Sequence, residues 1–202
     1  MKRITLAIIF ACCMLALTAQ DAIKVNYKGA KPTISDFAWA LVSYIDNIEE
    51  ECGDRPTNAI RDALILYRKG LPQEDGITFT VDEKNGYLLY EMSDDYSIYR
   101  MEMCYWNEAD GKHKLFAFNN LASYDIEDGK PISTETSGLT FWRYDNATKK
   151  MTYCATPGFK VEYLDTNYAL PRTGKDITVI TWLGKGKKTE KTLKWNGRRF
   201  SY

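Results

Sequence analysis

Gly76-Ile77-Thr78-Phe79-Thr80-Val81-Asp82-Glu83-Lys84-Asn85-Gly86-Tyr87-Leu88-Leu89-Tyr90-Glu91-Met92 is the stretch on which the reading of the fold turns. Ile77, Phe79 and Val81 alternate with Thr78 and Thr80, so apolar side chains recur every second residue, the period of a strand. Glu83-Lys84-Asn85-Gly86 then breaks the run. Glycine takes the positive φ that a tight hairpin turn demands at no steric cost. Tyr87 to Met92 returns as a second strand. This segment is a hairpin, and the period stays at two on its C-terminal side.

Downstream, Tyr99, Met101, Met103 and Tyr105 alternate with Arg100, Glu102 and Cys104. Asp110-Gly111 turns that strand into Lys114 to Phe118, and Asp128-Gly129 and Asn196-Gly197 are further turn signals. Tyr105-Trp106, Phe141-Trp142 and Thr181-Trp182 each close a strand before a polar turn, at spacings of 36 and 40 residues. Such spacing suits repeated hairpins, as in a meander or a propeller-like array. Tryptophan at strand ends in an aromatic-rich β protein produces the same pattern.

Upstream the period is helical. Thr33-Ile34-Ser35-Asp36 reads as a capping box, hydroxyl first and acid three residues on. Phe37, Ala40, Leu41, Tyr44, Ile45 and Ile48 then form one apolar stripe. Glu49-Glu50-Glu51 is poor placement for the helix dipole, so the helix is expected to fray before Gly53. Asp54 and Pro56 open a second helix, Ile60, Ala63, Leu64 and Tyr67 share a face, and Gly70 closes it after Arg68 and Lys69. Residues 20–32 look extended or loose. The predicted class is therefore α+β: a helix pair over about 33–50 and 55–69, then a long, mostly antiparallel β-meander over about 76–202. Its eight to ten strands would form a sheet, a sandwich or a propeller-like array.

The first nineteen residues read as an export signal. Lys2 and Arg3 precede the apolar run Ile4 to Ala19, and Leu17-Thr18-Ala19 offers small residues for cleavage near Ala19. The run is shorter than the ~20 apolar residues of a bilayer span. An uncleaved anchor and acylation at Cys12 or Cys13 are the alternatives. The expected product is one domain, 20–202, periplasmic or secreted, with no transmembrane span. The whole chain balances 27 basic against 27 acidic residues, and losing Lys2 and Arg3 leaves a net charge of −2. No whole-molecule field favours nucleic acid, and none is expected as a partner.

Cys52, Cys104 and Cys154 remain after cleavage. Cys104 and Cys154 both lie in strand-like sequence and form a possible disulfide, against the alternative of buried apolar thiols. Neither CxxC nor Cys/His spacing suggests zinc, and no cofactor or metal is expected. His113, the one histidine, sits beside the Asp110-Gly111 turn, with Ser123, Ser137, Cys104 and Cys154 as its candidate nucleophiles; none has a hydrolase motif around it. Asp82, Glu91, Asp94, Asp95, Glu102 and Asp125 are candidate acids for glycoside hydrolysis, which needs two across a cleft. Asp82 to Gly86 lacks an EF-hand oxygen ladder. Gly184-Lys185-Gly186-Lys187-Lys188 is a lysine-rich hairpin turn rather than a phosphate loop, since no helix follows it. Lys191, Lys194, Arg198 and Arg199 extend the basic stretch around Trp182 and Trp195, which suits a solvated face or an acidic glycan or lipid headgroup.

Aromatic residues are the distinctive feature: 26 of them follow the signal. Rings build β cores, and left exposed they hold sugar faces or partners. The signal ending Leu17-Thr18-Ala19-Gln20 and the closing Leu193-Lys194-Trp195-Asn196-Gly197-Arg198-Arg199-Phe200 resemble small secreted or periplasmic proteins of gut Bacteroidales. The resemblance covers the two ends and the helix-then-strands order, implies an envelope location and transfers no catalytic residue. The leading expectation is a non-catalytic envelope binding module holding a glycan or protein partner through Tyr99, Tyr105, Trp106, Trp142 and Trp182. A hydrolase built on paired carboxylates and a periplasmic inhibitor of lysozyme-type enzymes are the alternatives.

Overall fold

The alternation around Asn85-Gly86 forms the predicted hairpin, strand Ile77–Asp82 pairing antiparallel with Tyr87–Ser93. The computed structural model describes residues 22–48, 56–93, 97–127, 130–131, 137–155, 157–162, 164–184 and 186–202. The export signal, Cys52, Asp54, Asp94-Asp95 and Asp128-Gly129 lie outside them. In chain order the elements are β1 (Ile23–Lys24), α1 (Ile34–Ile48), α2 (Pro56–Lys69), β2 (Ile77–Asp82), β3 (Tyr87–Ser93), β4 (Ser97–Asn107), β5 (His113–Glu127), β6 (Lys130–Pro131), β7 (Ser137–Asp145), β8 (Lys150–Tyr153), β9 (Thr166–Ala169), β10 (Ile177–Trp182), β11 (Lys188–Trp195) and β12 (Phe200–Ser201).

Both helices follow the capping chemistry of their sequences. Asp36 reaches back to accept from the Thr33 backbone N–H and hydroxyl, each at 2.9 Å. At the end of α2, Leu71 N–H donates to Leu66 C=O and Gly70 N–H to Tyr67 C=O, with Gly70 at φ +67°. That is a Schellman closure, which glycine favours at the left-handed position.

The strands form two antiparallel sheets. The larger runs in the order β1-β8-β7-β5-β4-β3-β2, with β6 hooked onto β5; the smaller runs β12-β11-β10-β9. Each strand of the larger sheet from β2 to β8 pairs with its sequence neighbour, apart from the β6 side branch, so the meander is confirmed and the propeller-like array is not. Two expectations are corrected. The helix pair is not the first element: Ile23 and Lys24, in the stretch read as extended or loose, pair with Met151 and Lys150, so a strand precedes the helices. Trp142 sits within β7 rather than at its end.

Side-chain parity explains the layering. On β4, Met101 and Met103 point to one face and Cys104 and Trp106 to the other, and all four are buried. The first face meets Phe37, Leu41, Ile45, Ile60 and Leu64 of the helices, together with Phe116, Phe118 and Tyr144 of the sheet. The second face, with Ala117 and Phe141, meets Tyr168, Val179, Leu193 and Phe200 of the smaller sheet region. The helices thus cover one face of the large sheet and the small sheet covers the other.

The Cys104–Cys154 disulfide is also corrected: both side chains are thiols. Cys104 pairs with Ala117, Ala117 with Phe141, and the Cys154 N–H donates to Phe141 C=O. The two cysteines therefore stand three strand positions apart in one row. At ~4.8 Å per strand this is about 14 Å, roughly twice the Cα separation a disulfide spans.

Candidate functional site

The five rings expected to form a surface do not share one. Trp106 is 4% exposed; its indole N–H donates to Lys175 C=O at 2.8 Å, and it packs against Phe141, Trp195 and Phe200. Trp142 is buried on the opposite face of the sheet, against Phe116 and Tyr153. Trp182 is buried with Leu121, Ile98 and Ile180. Tyr99 donates its hydroxyl to Asn120 Oδ1 at 2.9 Å, and half-buried Tyr105 lies 5.3 Å from the Phe37 ring. The three tryptophans are buried and the two tyrosines half-buried against the core, so among the described residues these five do not form one open ring platform.

The most buried carboxyl among the described residues is Glu102, 4% exposed between the two sheets. It accepts from Tyr87 Oη at 2.7 Å, Leu170 N–H at 3.2 Å and Asn119 Nδ2 at 3.3 Å. Burial pushes its pKa up, against the pull of those donors and of Arg100. Burial and the adjacent Glu102 charge also push the Tyr87 hydroxyl up. Glu102 thus ties the Tyr87 strand, the Asn119 strand and the Leu170 segment together.

His113 lies where the turn signal placed it. Asp110 Oδ1 accepts from the Lys112 and His113 amides, and its other oxygen faces His113 Nδ1 at 2.5 Å. The hydrogen bond from His113, with those amides, holds the Asp110 carboxyl down at about 2. Glu108 joins them, and among the described residues these three are the group able to offer ligand atoms to one cation. Glu108 is already held by Arg143 Nε at 2.7 Å, whose positive charge opposes a metal there. No nucleophile is hydrogen-bonded to His113 among the described contacts.

A cleft of about 810 Å³ opens on the helix side between the 22–29 segment and α1. Tyr27, Trp39 and Tyr44, all half-buried, line it with Asp36, Ser43 and Arg68. Arg68 reaches across from α2. Its guanidinium lies 4.5 Å over the Trp39 ring and 3.9 Å from Asp36 Oδ1. Lys149 sits 4.9 Å from the Tyr27 ring. The cleft thus offers flat apolar rings beside a carboxylate, a hydroxyl and a guanidinium. Asp36 is the only carboxylate among its described lining residues, so the paired acids of a glycosidase are not met here.

A second opening, about 560 Å³, lies beneath the 157–161 loop and is lined by Phe141, Tyr153, Cys154, Phe159 and Val161. It is mainly apolar and has no comparable polar set.

The sequence reading missed the helix-side cleft because it followed the apolar stripe of α1. Asp36, Trp39 and Ser43 recur at spacings of three and four, just off that stripe. An aromatic ring flanked by polar residues at helical period was the available signal. No family model, no curated protein and no solved structure matches the chain.

Proposed function

We propose that this chain is an exported, non-catalytic module of the cell envelope that holds a carbohydrate in the cleft between its N-terminal segment and α1. The observation that supports this reading is the set of three half-buried rings, Tyr27, Trp39 and Tyr44, gathered around 810 Å³ of open cleft with Asp36, Ser43 and Arg68 at its wall. A sugar ring has an apolar face that packs on an aromatic plane and hydroxyls that bond to carboxylate and guanidinium. Ligand sites generally pair such apolar walls with a few placed polar groups.

A glycan array followed by calorimetry tests the proposal. Trp39→Ala is expected to weaken binding of the best array hit by at least about tenfold, the loss of ~1.4 kcal/mol of contact, while the near-ultraviolet circular dichroism of the core rings stays unchanged. A blank array, or full affinity in the variant, rules the cleft out as a sugar site.

A further inference from the structure

The β10–β11 hairpin carries a surface that the cleft does not use. Residues 183–202 hold seven Lys and Arg side chains against one acid, Glu190, although the whole chain is balanced at 27 to 27. Glu190 is itself paired with Lys188 at 2.9 Å. Leu183 stands at the hairpin tip, 63% exposed. The tip is a closed turn: Leu183 N–H donates to Lys187 C=O at 2.8 Å and Lys187 N–H to Gly184 C=O at 3.1 Å. Leucine is therefore held outward by a hydrogen-bonded turn, with exposed Lys187 and Lys188 beside it and Lys191 further along the strand. Lys191 lies 5.7 Å from the ring of Tyr202, which is 69% exposed.

Lysines on β11 also have a local use. β12 pairs only with Lys194 and Trp195, so among the described residues the outer edge of β11 from Lys188 to Leu193 has no strand partner. Charge along such an edge blocks strand-to-strand growth. Edge protection explains the lysines, but not an apolar side chain fixed at the tip.

We infer that this hairpin tip docks on an anionic lipid surface, Leu183 entering the acyl boundary while Lys187, Lys188 and Lys191 lie over the headgroups. Apolar insertion with basic flanks is the chemistry of peripheral membrane attachment, and each lysine near an acidic leaflet adds to it within a Debye length. A lone leucine offers a sugar no flat face, which favours lipid over an acidic glycan.

Co-sedimentation of the signal-free chain with vesicles tests this. One set is phosphatidylcholine alone and the other contains about one third phosphatidylglycerol. Binding is expected to the acidic vesicles only, and to fall when salt rises from about 0.1 M to about 0.5 M. Leu183→Asp and the pair Lys187→Glu with Lys188→Glu are each expected to lower it at least about tenfold, a loss of ~1.4 kcal/mol, at an unchanged melting temperature. Absence of binding, equal binding to neutral vesicles, or full binding by Leu183→Asp would each overturn the inference; the last would mark a patch that attracts any polyanion.

Discussion

Gly158 shows how tightly single residues are specified. Its φ is +113°, and an added Cβ would stand 2.3 Å from the Phe200 carbonyl oxygen. Strain and overlap act together there, so Gly158→Ala is expected to cost about 2–4 kcal/mol, read from chemical denaturation. Glu102 gives a prediction of different kind. Burial raises its pKa in the folded state above the ordinary 4.5. A group with a raised folded pKa contributes fully below its unfolded pKa and loses that contribution as pH rises through the folded one. The native chain should therefore lose stability relative to Glu102→Gln as pH climbs from about 4.5. A stability difference that stays flat from acid to neutral pH would contradict this. Neither residue was legible beforehand: Gly158 is one glycine among several, and Glu102 looked like any polar residue alternating along a strand. What distinguishes them is contact with residues 42 and 68 positions away, Phe200 and Leu170.

Helices and hairpins were far more readable, because their signals are local. The Thr33–Asp36 box and the Gly70 closure lie where hydroxyl, acid and glycine placed them, and α1 and α2 fall within the expected ranges. The same turn that settled the strand period has a second task that no local pattern shows. Glu83 accepts from the Ile34 N–H at 3.0 Å and the Ser35 hydroxyl at 2.5 Å. It thereby caps α1 from 49 residues away, satisfying a donor that a helix cannot satisfy internally. Glu83→Ala is expected to cost ~1–2 kcal/mol, the scale of losing a helix N-cap, with reduced amide protection confined to the first turn of α1. Unchanged exchange at Ile34 and Ser35 would show that the contact holds nothing.

Across the molecule, the layering was only half legible. Alternation along β4 is the pattern of a strand with one face to the core and one to water, whereas both faces of Met101 to Cys104 are buried. The better clue lay in Leu115-Phe116-Ala117-Phe118 and in Phe141-Trp142, where apolar residues follow one another without a polar break. Continuous apolar runs belong to strands covered on both sides. That is why Trp106 and Trp142 of the expected ring surface lie in the core. Phe200 joins the layers: its ring lies 4.9 Å from Trp195, 5.0 Å from Trp106 and 6.0 Å from both Phe141 and Phe159. Phe200→Ala is expected to cost about 3–5 kcal/mol and to shift tryptophan emission to the red as water reaches Trp106 and Trp195. Native emission in a stable variant would place those indoles elsewhere.

The short strand β1 has a consequence in time. Met151 follows Ile23 by 128 residues, and the pair closes one margin of the large sheet. A chain synthesised from its N-terminus at ~5–20 residues per second must wait roughly 6–25 s before that partner emerges. β1 is thus the last stitch of the large sheet to be made, although it is the first of that sheet's strands to be born.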